Sequence, residues 1–273
     1  MSLFVSSINS GSNGNCYYIG NAEEAVLIDA GISARETERR LKRQELSFKK
    51  VRAIFITHEH SDHVGGLYKL AKRHQVPVYM TAETLRASRL VPNRIQVRNF
   101  VPHEVIHIGA LAVTPFPTLH DARDSHGFLV TSREISVGVF TDLGTITPAV
   151  SKYFKQCHAA FLESNYDEEM LRTGGYPPEL QERIRGDRGH LSNLQALECF
   201  LTHRPAFMTH LFLSHLSENN NTPEIVQKLF GTVVGNTKIV IASRHKESGV
   251  YLIGGTHAGK LSTLHEASQL SLF

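Results

Sequence analysis

Four side chains of the kind that bind metals are crowded into one short stretch of this sequence. The apolar run VRAIFIT at 51–57 is followed at once by His58, His60, Asp62 and His63. In an extended chain His58 and His60 point to the same side, because side chains alternate along a strand. Asp62 and His63 fall at the expected turn into a helix and can face a second point. Because imidazole nitrogens and carboxylate oxygens suit zinc, manganese or iron, the segment predicts a two-metal site rather than an ordinary polar surface.

Three more potential ligands each follow a separate apolar run farther along the chain. His120 follows LAVTPFPTL, Asp142 follows ISVGVFT, and His215 follows FMTHLFLS. Each therefore lies at the end of an expected strand, where a ligand is held rigidly. Taken singly, such residues are most often ordinary polar groups at strand ends. Beside the first cluster, they predict the remaining ligands of the metal site.

The composition is that of an ordinary globular protein. The 273 residues are 41% hydrophobic and 20% charged, and the net charge of +3 permits a nucleic-acid substrate without arguing for one. Cys16, Cys157 and Cys199 are widely spaced, which predicts a reducing compartment and no disulfide framework. No apolar run approaches the ~18 residues of a membrane span, and the first residues lack the pattern of a signal peptide. We therefore expect a cytoplasmic protein that does not enter a membrane.

Apolar runs and turn residues predict strands and helices interspersed along both halves of the chain. Strands are expected at 3–8, 16–20, 25–28, 51–57 and 77–80, in five segments between 95 and 140, at 159–162 and 206–213, and in the runs KIVIAS and GVYLIG. Helices are expected at 33–44 after the N-cap Ser33, from Val64 onward, and at 147–155, 192–202 and 223–230. Mixed strands with helices on their outer faces indicate an α/β protein with two packed sheets. Without a repeat or linker, a single domain over 1–273 is the economical interpretation.

The order of the candidate ligands resembles that of the metallo-β-lactamase superfamily: H-x-H-x-D-H, then a single His, an Asp and a final His. The resemblance covers nearly the whole chain and implies a four-layer αββα sandwich with the metals at one edge. It also implies that the ligands divide between two metals: His58, His60 and His120 for one, and Asp62, His63 and His215 for the other, with Asp142 bridging both. Asp29, in VLIDAG, matches a family Asp that supports the site without binding metal.

Longer segments resemble the YycJ/WalJ-type subgroup of that superfamily. They are SGSNGNCYYI (10–19), FPTLHDA (116–122), LESNYDEEML (162–171), YPPELQERIRGDRGHLSN (176–193) and LSHLSENNN (213–221). That subgroup is associated with nuclease activity on DNA, including 5′-to-3′ exonuclease trimming. The resemblance therefore implies a nucleic-acid substrate, DNA rather than RNA.

The expected chemistry is hydrolysis by a hydroxide shared between two divalent ions, zinc or manganese, with iron as a further candidate. The same ions would neutralise charge developing on a phosphodiester. Asp62, among the ligands, and His190 are the catalytic candidates. His190 is expected to protonate the leaving oxygen, because the similar RNase Z enzymes carry a His in a comparable segment. The other interpretation of His190 is a neighbour of a helix cap without a catalytic role.

Polar residues near His190 and His215 are candidates for contacts with the substrate. Arg183, Arg185 and Arg188 precede His190, and guanidinium groups match the geometry of phosphate. We expect Arg188 to hold the substrate, although an exposed charged helix end would look the same. Ser217 and Asn219 follow His215 and offer donors to a phosphate, but such residues also make turns.

Other classes of function stay open at this point. The same fold supports small-molecule hydrolases such as thioesterases or lactonases, although the arginines before His190 favour a phosphodiester. A scaffold that only binds nucleic acid or a partner would typically have lost ligands. Among nucleases, the chain is too short for the inserted domain of RNase J-type enzymes and shows no RNase Z-like arm. The sequence does not indicate an oligomeric state.

Overall fold

Two seven-stranded sheets form the framework of the protein. A computed structural model describes residues 2–232 and 235–254. The first sheet begins with β1 (Leu3–Asn9), β2 (Cys16–Gly20), β3 (Ala25–Ile28), β4 (Val51–Phe55), β5 (Val78–Tyr79) and β6 (Val97–Arg98). The second sheet contains β7 (Ile106–Ile108), β8 (Leu111–Pro117), β9 (His126–Ser132), β10 (Ile135–Phe140), β11 (Ala159–Glu163), β12 (His210–Ser214) and β13 (Lys238–Ile241). The chain then returns to the first sheet as β14 (Tyr251–Ile253).

Helices connect the strands and cover the outer faces of the sheets. Those of the first half are α1 (Ala34–Arg43), α2 (Ser61–Val64), α3 (Leu67–His74) and α4 (Ala82–Ala87). Those of the second half are α5 (Pro148–Phe154), α6 (Glu168–Thr173), α7 (Pro178–Arg185), α8 (Asn193–His203) and α9 (Pro223–Gly231). Two 3-10 turns lie at Phe48–Lys50 and Pro92–Arg94. No helix in the described ranges is long and apolar enough to cross a bilayer.

Each sheet is antiparallel in one half and parallel in the other. In the first sheet the order is β14-β1-β2-β3-β4-β5-β6, with parallel pairing from β3 to β6. In the second sheet the order is β13-β12-β11-β10-β9-β8-β7, with parallel pairing from β10 to β13. Because the carboxyl ends of parallel strands meet at one edge of a sheet, side chains that follow these strands are brought close together.

Three apolar clusters define the layers. The inner cluster contains residues of both sheets, including Val26 and Phe55 from the first and Phe128 and Phe161 from the second. One outer cluster joins the first sheet to α1 and α3, and the other joins the second sheet to α5, α8 and α9. The layers are therefore helix, sheet, sheet and helix, and the predicted αββα sandwich is confirmed.

The structure bears on the expected absence of disulfides but does not test the expected single domain. All three cysteines are buried and free, so the described chain has no disulfide, as predicted. The single domain over 1–273 stays a prediction, because residue 1, residues 233–234 and residues 255–273 lie outside the described part of the chain.

Candidate metal centre

Polar side chains from both sheets converge at one end of the sandwich. Asp29 follows β3, His58 follows β4, Asp142 follows β10, Glu163 ends β11, and His215 follows β12. Three of these residues have left-handed backbones, with φ of 62° at Asp29, 58° at Asp142 and 57° at His215. Such strain in non-glycine residues persists where the surroundings over-determine it, and it is concentrated at functional sites.

One group of possible ligands is made of histidines. Nitrogen atoms of His58, His60 and His120 all lie within 4.8 Å of one another. The His58 Nδ1 lies 2.9 Å from the Thr57 hydroxyl, and the His120 Nδ1 donates to the Gly189 carbonyl at 2.9 Å. With Nδ1 engaged in this way, Nε2 of each ring is left with a lone pair for a cation.

A second group lies beside the first. Atoms of Asp62, His63 and His215 lie within 4.8 Å of one another. The His63 Nδ1 donates to the buried Asp29 carboxylate at 2.7 Å, while its Nε2 lies 3.3 Å from Asp62 Oδ2. Asp29 therefore orients a ligand-type histidine from behind, the supporting position that the family resemblance implies.

Asp142 lies between the two groups. Its Oδ2 is 3.2 Å from His63 Nε2 in one group, and its Oδ1 is 3.8 Å from His120 Nε2 in the other. The side chain is 2% exposed. Asp142 Oδ1 is also 3.5 Å from His215 Nδ1. A carboxylate that lies between the two groups in this way can bridge two cations.

Glu163 ties the neighbouring histidines together behind the ligand groups. Its Oε1 accepts from His190 Nδ1 at 2.7 Å and from His215 Nδ1 at 3.0 Å. Its Oε2 accepts from the backbone N–H of Leu143 at 2.6 Å. Glu163 is fully buried, so this carboxylate fixes both rings on the side away from solvent.

The charges around the site indicate that a positive species belongs there. Burial lowers the pKa of His58 well below its usual value, which keeps this imidazole neutral as a ligand must be. Burial also opposes the charged form of His215, but Asp142, Asp62 and Glu163 outweigh it and raise the His215 pKa to about 10. These carboxylates thus attract positive charge to the centre of the site, which a proton or a metal cation can supply.

The residues present fit a pair of divalent cations. Three buried atoms, His58 Nε2, Asp142 Oδ2 and His215 Nε2, make no hydrogen bond within the described chain. Leaving such atoms without a partner costs free energy, and all three are metal-binding atom types directed to one place. The mixture of imidazole and carboxylate is a donor set that zinc, manganese and iron accept.

Comparison with known proteins identifies the family. A model described as "Beta-lactamase superfamily domain" matches residues 24–215. The chain belongs to the metallo-β-lactamase superfamily. It is 35% identical over 230 residues to exodeoxyribonuclease YycJ of Bacillus anthracis, covering 83% of this chain and 87% of that protein. It is 29% identical over 221 residues to exodeoxyribonuclease WalJ of Streptococcus pneumoniae serotype 2, covering 79% and 82%. The chain is therefore of the YycJ/WalJ type, as its sequence segments predict.

The metallo-β-lactamase fold is also seen in the solved structures that this chain resembles. The metallo-β-lactamase fold protein YhfI of Bacillus subtilis superposes with a TM-score of 0.71, covering 92% of this chain and 100% of that one. The sequence identity is only 17%, so this likeness concerns the fold alone.

The metallo-β-lactamase fold brings the predicted ligands of this chain together. Those that lie in one of the four ligand groups are His58, His60, Asp62, His63, His120, Asp142 and His215. The predicted acid His190 also lies in such a group, with Glu163. The assignment of individual ligands to individual metals stays a prediction.

The three residues predicted to contact the substrate differ in exposure and in hydrogen-bond partners. Arg188 is exposed, and its Nε donates to the His120 carbonyl at 3.2 Å. The Ser217 hydroxyl accepts from the backbone N–H of Asn220 at 3.3 Å, and the Asn219 amide donates to the Tyr176 hydroxyl at 2.9 Å. Ser217 thus forms a turn, and contact of Arg188, Ser217 and Asn219 with a substrate stays a prediction.

Three further residues of this site escaped the sequence analysis. Glu163 ends the apolar run AAFLE, so a carboxylate at a strand end was the available signal. Asp121 follows His120 directly, and its Oδ1 lies 3.2 Å from His120 Nε2. The Asn15 amide nitrogen lies 3.2 Å from Asp62 Oδ2. The stretch containing Asn15 looks like an ordinary turn in the sequence, which carries no local signal of its contact with a segment 47 residues away.

Proposed function

We propose that this chain is a metal-dependent phosphodiesterase that degrades DNA as an exonuclease. The observation that carries the proposal is the pair of ligand groups at the ends of both sheets, with Asp142 between them. The identity to proteins named exodeoxyribonucleases, over most of both chains, supports the same reaction class. The geometry alone would also suit other hydrolytic reactions, so the relatives supply the choice of phosphodiester.

The proposed ligands divide as the family resemblance implies. One cation would be held by His58, His60 and His120 and the other by Asp62, His63 and His215, with Asp142 available to both. When bound, two divalent cations lower the pKa of a water shared between them and neutralise charge on a phosphodiester.

His190 is the proposed proton donor for the leaving oxygen. Its Nδ1 is held by Glu163, so its Nε2 remains for the substrate. Burial lowers the pKa of His190, but the Glu163 carboxylate beside it outweighs burial and raises the pKa above its usual value. A side chain that is 22% exposed at the rim of the site can both reach a substrate and be re-protonated from solvent.

Arginines next to the histidine group would bind the substrate phosphates. Arg188 is exposed beside His120, and Arg183 pairs with Asp121, which lies against the same histidine. Guanidinium groups bind phosphate oxygens in pairs and are always charged. We therefore expect the scissile strand to enter on the side of the site where His60 and His120 lie.

Digestion of end-labelled DNA and RNA, single- and double-stranded, tests the proposal directly. Each substrate is incubated with Mn²⁺ or Zn²⁺ and either the parent protein or the His60→Ala variant. We expect the parent protein to shorten DNA progressively from an end and the variant to be inactive. Equal cutting by both would identify a contaminant, and no cutting of any nucleic acid would overturn the proposal.

A second panel separates the nuclease from a small-molecule hydrolase. A chromogenic phosphodiester is compared with a set of thioesters and lactones under the same conditions. We expect hydrolysis of the phosphodiester alone. Faster turnover of a thioester or lactone would replace the nuclease proposal with the alternative that the sequence leaves open.

A further inference from the structure

A groove lies at the free edge of the first sheet, outside the metal centre. It runs between α4 and β6 and encloses a cavity of about 410 Å³. The residues that line it are Met80, Thr81, Ala82, Leu85, Ile95, Val97 and Asn99. Ile95, Val97 and Asn99 are alternate residues in and beside β6, and all three line the cavity. The lining is mainly aliphatic, with a hydroxyl and an amide available for hydrogen bonds.

The groove opens at the same end of the sheet as the metal centre. Thr81 lies just beyond the carboxyl end of β5, and Asn99 lies just beyond that of β6. Both strands run parallel to β4, whose carboxyl end leads to His58. Two strand spacings of ~4.8 Å separate β6 from β4, so the groove is about 10 Å from the line of the metal ligands.

A direct contact joins the groove to the loop that carries His120. The Thr84 hydroxyl, on α4, donates to the Asp124 carbonyl at 3.3 Å. In the same loop, the backbone N–H of Arg123 donates to the Glu59 carboxylate at 2.9 Å. A nucleic-acid strand that leaves the metal centre past His120 would therefore pass over α4 next.

Positive charge is concentrated around this groove. Residues 84–103 contain four arginines and no Asp or Glu, in a chain whose net charge is only +3. The four, all exposed, are Arg86, Arg89, Arg94 and Arg98. Arg86 pairs with Glu83, and Arg98 donates to the Tyr79 hydroxyl. Arg89 and Arg94 have no acidic partner among the residues that the structure describes, so they can meet an external anion.

Charge on an edge strand has a second explanation, which covers only part of these observations. Exposed charges at sheet edges discourage pairing with other chains. That role requires neither the aliphatic cavity nor the absence of acids over twenty residues. Apolar surface beside unpaired guanidinium groups can take both parts of a nucleic-acid strand, because aliphatic side chains cover the apolar face of a base and guanidinium groups bind phosphates.

We propose that this groove binds single-stranded DNA, with a base in the aliphatic cavity and the adjoining phosphates at Arg89 and Arg94. The inference rests on the proposed nuclease function and extends it to a second contact along the substrate. In a strand that keeps the stacked rise of duplex DNA, ~3.4 Å per nucleotide, a separation of about 10 Å places the groove about three nucleotides from the bond that is cut, and in a more extended strand it lies fewer nucleotides away.

Binding of a fluorescent single-stranded oligonucleotide, followed by anisotropy with EDTA present, tests the charge contribution. The Arg89→Gln/Arg94→Gln variant is compared with the control variant Arg52→Gln/Arg133→Gln. The control removes the same charge from two exposed positions away from the groove, one in β4 and one in the turn between β9 and β10. We expect the first variant to raise Kd about tenfold at low salt. Loss of two phosphate contacts should also reduce the slope of log K against log[salt] by about 1.4. The control variant should match the parent, and equal behaviour of the two variants would overturn the proposal.

An abasic site tests whether a base enters the cavity. An oligonucleotide lacking the base at the third position from its end is compared with the intact one, using the parent protein and Leu85→Ala. We expect the missing base to weaken binding by the parent about tenfold, since it leaves aliphatic surface of the cavity uncovered, and to cost the Leu85→Ala variant much less. Equal losses in both proteins, with unfolding temperatures matched, would exclude base binding at this groove.

The two levels of proposal fail separately. Cutting of end-labelled DNA by the parent protein reports on the metal centre alone, whereas the anisotropy measurements need no cutting. Parent-like binding by the Arg89→Gln/Arg94→Gln variant would remove the groove and leave the nuclease in place. Weakened binding by that variant together with a parent protein that cuts nothing would support the groove and remove the nuclease.

Discussion

Glu163 illustrates how much of the site depends on a single buried side chain. One of its oxygens holds His190 and His215, and the other is held by the backbone of Leu143. The carboxylate therefore fixes a proposed ligand and the proposed acid relative to β10 and β11. Partners that orient ligands in this way commonly matter almost as much as the ligands.

Replacement of Glu163 by Gln should lower kcat by about 10- to 100-fold and weaken metal binding by a similar factor. The amide has nearly the shape of the carboxylate but cannot accept two histidine N–H groups with full negative charge. Steady-state kinetics and metal titration check both effects. Glu169→Gln serves as the control because that side chain is 67% exposed, and parent-like kcat and affinity in Glu163→Gln would contradict the role assigned to it.

Replacement of His190 by Ala should slow cleavage by about 10² to 10⁴ while the protein still holds close to two metal ions. The reason is that His190 is proposed to donate a proton rather than to bind a cation. Kinetics combined with elemental analysis separate the two roles. His245→Ala removes an exposed imidazole elsewhere and should leave turnover unchanged. Normal turnover in His190→Ala would remove His190 from the mechanism.

At the scale of elements, the cap of α8 connects helix stability to the position of His190. The Ser192 hydroxyl accepts from the backbone N–H of Gln195, and the Gln195 side chain accepts from that of Ser192. His190 lies two residues before this cap. The segment before His190 also approaches the loop that follows β10, because a Cβ on Gly144 would lie 2.0 Å from the Asp187 carbonyl oxygen.

Removal of two similar caps should separate structural from functional consequences. Ser192→Ala and Ser33→Ala each delete a hydroxyl that accepts a backbone N–H at 3.2 Å. Ser33→Ala should cost about 1 kcal/mol of stability in urea unfolding. Ser192→Ala should cost about 2 kcal/mol, because the buried Ser192 hydroxyl also donates to Glu168 at 3.2 Å. Only Ser192→Ala should also lower kcat, by about tenfold, because loss of the cap shifts His190 and a shifted imidazole transfers its proton to the leaving oxygen less efficiently. Equal kcat in the two variants would show that the cap does not position His190.

At the scale of the whole molecule, the candidate metal centre lies where the two sheets meet and takes its proposed ligands from both. His58, His60, Asp62 and His63 come from the first sheet, whereas the other proposed ligands come from the second. A cation bound at this end therefore joins layers that are otherwise held by the inner apolar cluster. Without a bound cation, the carboxylates of Asp29, Asp62, Asp142 and Glu163 lie close together in buried or partly buried positions.

Metal should therefore raise the unfolding temperature of the protein. At a hundred times its Kd, a ligand that binds only the folded chain stabilises it by about 2.7 kcal/mol, which corresponds to roughly 5 to 10 °C for a chain of this size. Scanning calorimetry with and without Mn²⁺ or Zn²⁺ checks the shift. The metal-induced rise in unfolding temperature should be smaller in both His60→Ala and His215→Ala than in the parent protein. A full rise in either variant would argue against metal ligands from both sheets.

Much of the fold could be predicted because its signals are local. The strands at 16–20 and 25–28 have the expected bounds, and the predicted cap Ser33 accepts the backbone N–H of Glu36. The sequence pattern did not predict α4, α6 and α7, which span only six to eight residues. Helices so short scarcely complete two turns, so their apolar residues show no clear period. The expected strand at 206–213 begins only at His210, since hydrophobic runs do not mark where pairing starts.

The sequence by itself determined the types of candidate metal ligand, their order and their places after strands, because each depends on a short pattern of apolar and polar residues. Only the tertiary structure decided which distant side chains support them. Asn15 beside Asp62, Asp121 beside His120, and Glu163 between His190 and His215 are contacts across the layers. Such contacts depend on how two sheets pack and where their parallel strands end, and no local pattern along the chain records that arrangement.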